Sequence, residues 1–247
     1  MDLNADLGEG FGRWELTDDT ALLRLVTSAD VACGFHAGDP LTLRRVRAAA
    51  AARGVRIGAQ VSYRDLPGFG CREVDVPPDE LAAEVAYRIG ALQVFARVAG
   101  AEVRYVKPHG ALYHRAGRDA AQADAVIEGV KLAGVDVLLC RTGSELDGAA
   151  RAADLRVVGE CFADRAYGSD GNLVPRGLPG AVLDRASAVG HAVDLAVSGE
   201  ATTVDGTRLK VAASSVRVHG DGPEAVAAGE AIRSASDEKG IKVEAFL

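Results

Sequence analysis

At 247 residues, with 48% hydrophobic but only 5% aromatic side chains, the chain can bury one large core and lacks the aromatic content of a typical β-sandwich. A formal charge of −7 and the lack of any basic run argue against nucleic acid and against an anionic membrane surface, both of which are held through clustered Lys and Arg. Residues 1–20 carry no apolar run, and Cys33, Cys71, Cys140 and Cys161 form no C-x-x-C pair, so a reduced, cytoplasmic protein without signal peptide or membrane span is expected.

Short strand-like runs alternate with longer helical ones, the pattern of repeated β-α units feeding one parallel sheet. Strands are expected at 1–5, 29–32, 55–60, 102–106, 136–139, 156–160 and 216–218, and helices at 17–26, 40–53, 78–99, 119–133, 142–153, 184–198 and 223–236. Pro40, Pro78 and Pro223 suit first helical positions. Residues 202–211 read as a hairpin turning at Asp205-Gly206, inserted before the last barrel strand. The tail 241–247 is apolar enough for a further strand or an edge. No linker interrupts the series, so one α/β domain over 1–247 is expected, a distorted, seven-stranded TIM-like barrel.

In such a barrel the residues after each strand share one rim, where catalytic groups collect. Asn4, Asp6 and Glu9 follow the first strand, His36 and Asp39 the second, and Gln60, Asp65 and Arg72 the third. VKPHGALYH, residues 106–114, then sets Lys107, the rigid Pro108 and His109 beyond the fourth strand. Asp164, Arg165 and Asp170 follow the sixth, and His219 and Asp221 the last. Each has an ordinary reading alone, as a cap, a core histidine or a surface charge; their coincidence with glycines in GEGFG, CGFHAG, GFG and HGDG points to a ligand site. Asp6, His36 and His109 are also candidate ligands for a divalent metal, although their spacing is not diagnostic. His114 and His191 read as peripheral, and the cysteines chiefly as small buried hydrophobes. No G-x-x-x-x-G-K-[ST] loop is present, so nucleotide use needs another binding mode or another subunit.

DLNADLGEGFG, CGFHAGDP, GAQVSYRDLPGFG, VKPHGALYH, FADRAYGSDGNLVPR and VHGD together resemble the LamB/YcsF family, in order and over residues 2–233. The resemblance implies a β/α barrel akin to the glycoside hydrolase/deacetylase superfamily. It also implies ATP-dependent opening of the 5-oxo-L-proline lactam to L-glutamate, together with two partner oxoprolinase subunits, B and C. Many members carry His where this chain has Gln60, Pro at Arg64 and Arg at Cys71. Gln60 cannot titrate, which rules out a general base there.

On this reading Asp6 or His109 activates water and Lys107 stabilises the oxyanion. His36 and Asp39 orient the substrate, Arg72 or Arg165 holds its carboxylate, and Asn4, Gln60, Asp164, His219 and Asp221 complete the binding site. ATP is the expected cosubstrate, bound here or by a partner; a metal requirement and self-association stay open. The rival readings are a stand-alone metal-dependent deacetylase or amidohydrolase and a non-catalytic scaffold subunit.

Overall fold

The structure, a computed structural model, describes residues 1–220 and 224–246. Seven parallel strands close into a barrel in the order β1 (Asp2–Leu7), β2 (Ser28–Ala32), β3 (Arg56–Val61), β4 (Val103–Pro108), β5 (Val137–Cys140), β6 (Arg156–Phe162) and β9 (Ser215–Val218). The hairpin β7 (Glu200–Thr202) and β8 (Arg208–Lys210) pairs separately, as its Asp-Gly turn predicts. Helices α2 (Pro40–Ala52), α3 (Pro78–Val98), α5 (Ala120–Leu132), α6 (Glu145–Ala152), α7 (Arg185–Ser198) and α8 (Ala225–Glu238) follow the expected periodicity. None of the described helices is long and apolar enough to cross a membrane.

Several boundaries differ from expectation for local reasons. The first helix shrinks to α1 (Asp19–Leu22), capped by Asp18 rather than entered at Thr17. Ser144 caps α6, so that helix starts three residues later than 142. A helix absent from the expected set, α4 (Gly110–Ala116), begins immediately after His109. The tail forms no strand over its described residues; it runs beside the amino terminus, where Glu244 N donates to the Met1 carbonyl, and sets the Phe246 ring 5.1 Å from Tyr105. Pro223 and Asp221 lie outside the described residues.

The strands sort their side chains with period two. In β1, Leu3, Ala5 and Leu7 pack outward among the helices, while Asp2, Asn4 and Asp6 face the barrel interior. The same alternation turns Asp30, Gln60, Lys107, Glu160 and Arg217 inward. The barrel axis is therefore filled by a polar column above an apolar plug of Tyr105, Leu139, Val158 and Phe246. β1 and β4 run past their expected ends, which carries Asp6 and Lys107 from the rim into the strands themselves.

Candidate active site

The strand register sets like charges side by side, with Asp6 opposite Asp30, and brings Gln60 opposite Lys107. Lys107 makes that tolerable: its Nζ donates to Asp6 Oδ1 at 2.9 Å and lies 3.2 Å from Asp30 Oδ2 and 3.3 Å from Glu160 Oε1. All four groups are buried. Burial and the neighbouring Glu160 charge push Asp30 up to about 7, against the pull of Lys107. Burial alone would drive the Lys107 ammonium to lose its proton; the Asp30 and Glu160 carboxylates overcome that cost and keep it charged. Lys107 therefore serves the barrel interior and does not line the cavity, contrary to the oxyanion role expected of it.

Above this knot a cavity of about 380 Å³ opens at the carboxyl-terminal mouth of the barrel. Asp6, Glu9 and His109 form its floor; Arg165, Arg176 and Arg217 supply cationic groups, with His114 and His219 among them. The Arg217 guanidinium donates to Asp6 Oδ2, to which His109 Nδ1 also comes within 3.1 Å. His109 Nε2 is buried and has no hydrogen-bond partner. Opposite, His219 Nδ1 lies 2.8 Å from Asp164 Oδ1, which fixes the ring and leaves Nε2 toward the cavity. Burial, then the Arg217 charge, push His219 down to about 4 against the pull of Asp164, so the ring is neutral at pH 7.

The other expected site residues stand behind or beside this cavity. His36 is fully buried, with Nε2 2.9 Å from Gln60 Oε1 and its ring stacked 5.3 Å from that of His109; burial holds its pKa well below the ordinary value. Gln60 in turn donates to Glu9 Oε1 at 2.9 Å. Both position the floor instead of meeting a ligand. Asn4 bonds Ser215 Oγ in the barrel interior. Asp39 caps α2 through the Leu41 and Thr42 amides, and Arg72 is turned onto Asp65, so neither faces the cavity. Arg165 does line it but spends Nε and Nη2 on the Ala181 and Val174 carbonyls, pinning the segment between β6 and α7.

Two phenylalanines with left-handed backbone brace the histidines: Phe35 at φ 69° precedes His36, and Phe69 at φ 58° sets its ring edge-on to His109 at 5.3 Å. Gly110, at φ 58°, starts α4 so close to the Gly70 carbonyl that a Cβ would collide with it. Gly110→Ala is expected to cost about 2–3 kcal/mol, combining the αL penalty with overpacking, measurable by denaturant unfolding. An unchanged unfolding midpoint would contradict this account of the turn.

Expecting site residues only after strand ends passes over Asp30, Glu160 and Arg217, which lie within strands. Their signal is the alternation of polar and apolar residues in SADVA, GECF and SVRV. Arg176 belongs to the long β6–α7 connection, where its one signal is its place at the end of the FADRAYGSDGNLVPR block.

The LamB/YcsF family model matches residues 1–247. The chain is 60% identical to the A subunit of 5-oxoprolinase from Streptomyces griseus subsp. griseus, covering 100% of this chain and 99% of that protein. It is 55% identical to the protein of the same name from Nocardia farcinica, covering 100% of this chain and 99% of the relative. Among solved structures, a lactam utilization protein from Thermus thermophilus superimposes with a TM-score of 0.94 at 39% identity, covering 100% of this chain and 99% of that one. Sequence and fold thus agree over the full length: the chain belongs to the LamB/YcsF family.

Proposed function

We propose that this protein is the lactam-opening component of an ATP-dependent 5-oxoprolinase that works with partner subunits B and C. The observation that carries the reading is one cavity lined by two histidines, His109 and His219, together with Arg165, Arg176 and Arg217. Similarity to relatives that bear the 5-oxoprolinase name supplies the substrate class.

A five-membered lactam is an unreactive amide. Transfer of the ATP γ-phosphoryl group to its carbonyl oxygen makes C5 electrophilic, and water then adds there. Neutral His219, oriented by Asp164, accepts the proton of that water at Nε2. His109 presents Nε2 toward the ring nitrogen, which takes up a proton as the C5–N bond breaks. The resulting acyl phosphate is hydrolysed by a second water, giving L-glutamate and phosphate. Arg217 and Arg176 line the wall where the substrate carboxylate and the phosphoryl group carry their charge.

The test is glutamate release from 5-oxo-L-proline with ATP, using the chain alone and then with its candidate partners. Glutamate and ADP in equal amounts, formed only by the full mixture, are the expected result. Absence of glutamate from a correctly assembled complex would overturn the assignment. ATP-independent hydrolysis by the chain alone would favour a stand-alone amidohydrolase.

A further inference from the structure

The floor of the cavity carries a contradiction in its hydrogen bonding. His109 Nδ1 lies 3.1 Å from Asp6 Oδ2, which only accepts, and 3.1 Å from Gln60 Nε2, which only donates. One ring nitrogen carries either a proton or a lone pair, so it satisfies only one of them at a time. Glu9 Oε1 stands 3.9 Å from the same nitrogen, and single donor atoms of Asp6, Glu9 and His109 all fall within 4.8 Å of one another. Bonds of ~2.1 Å to a first-row metal give donor-to-donor edges of roughly 3.0–3.4 Å, so a small contraction of Glu9 completes such a set.

We infer that Asp6, Glu9 and His109 Nδ1 form a binding site for a first-row divalent cation, Zn²⁺ or Mn²⁺ by donor type, with Gln60 as its gate. Without the ion, the Gln60 amide group donates to Glu9 and faces His109 Nδ1, standing where positive charge belongs. With it, the amide rotates to present Oε1 as a fourth donor, and Nδ1 gives its lone pair to the metal. The ring proton is then confined to Nε2, which is buried and has no other hydrogen-bond partner. The ion thereby fixes His109 as a hydrogen-bond donor to the ligand. The site is read from the floor alone and holds whichever amide the cavity accepts.

Direct binding tests this without any assay of turnover. Metal-free full-length chain is titrated with Zn²⁺ and separately with Mn²⁺ by calorimetry, with thermal unfolding in parallel. One equivalent per chain and a raised unfolding temperature are expected, and bound Co²⁺ should develop visible d–d bands distinct from those of the aqueous ion, which His109→Gln should alter. Glu9→Gln and His109→Gln should each weaken binding by more than about tenfold, whereas Gln60→Glu should tighten it by about as much. Failure of the folded wild-type chain to bind either ion stoichiometrically overturns the site, a result that needs no variant to fold. Binding that survives both Glu9→Gln and His109→Gln unchanged places the ion elsewhere and equally overturns it.

Discussion

His219→Ala lowers turnover of the assembled enzyme by about 10²–10⁴-fold, the range associated with losing a positioned general base. The side chain borders the cavity, and its removal leaves the barrel ladder untouched, so circular dichroism should be unchanged. Asp164→Asn should reproduce much of the loss, because the carboxylate that fixes the His219 ring through Nδ1 is gone. The pH profile separates this role from simple binding. Protonation of His219 removes the base, so kcat/KM falls as pH drops through about 4 and is flat with respect to this group between about pH 6 and 8. An acid limb near 6.5 instead, or one that persists in His219→Ala, would show that another group takes the proton.

Lys107→Met should destabilise the fold by about 3–5 kcal/mol at pH 7, since it leaves carboxylates buried without their counter-ion. The sign of the pH dependence follows from Asp30. Its folded-state pKa is already raised to about 7, above the ordinary 3.8, so the folded form holds a proton that the unfolded form releases between these values. Removing Lys107 removes a pull that lowers Asp30 and Glu160, so the folded variant binds protons more strongly still. The deficit is therefore largest at neutral and higher pH and shrinks as pH falls toward about 5. Adding Asp30→Asn to Lys107→Met should restore part of the loss, because the amide needs no counter-ion. Denaturant unfolding of the single and double variants at pH 5 and 7 reads this directly. A pH-independent loss, or none, would refute the account of Lys107 as the neutralising centre of the barrel.

The elements most legible in the sequence were those whose cause is local. Seven strand-like runs spaced by helical periodicity imply a β/α barrel, and the family blocks extend along nearly the whole chain. Asp205-Gly206 marks the turn between β7 and β8, and Asp39-Pro40 marks the start of α2. The same local view misplaced Lys107 and Asp6 on the rim, because a strand that runs one or two residues further shows no break in composition. It also ranked Arg72 with the binding residues, although the folded chain provides Asp65 as its partner.

The site divides along that line. Sequence by itself determined the barrel, the family and the chemical inventory of carboxylates, histidines and arginines, since these depend on residue type and on spacing along one chain. Closure of the sheet decided the rest. It brings Asp6 beside Lys107, a hundred and one residues apart, and Asp164 beside His219, fifty-five apart. It buries His36, Gln60 and Lys107 as supports and leaves His109 and His219 facing the cavity. Which charges neutralise one another and which meet a ligand depends on strand register and solvent access, and both are properties of the closed barrel.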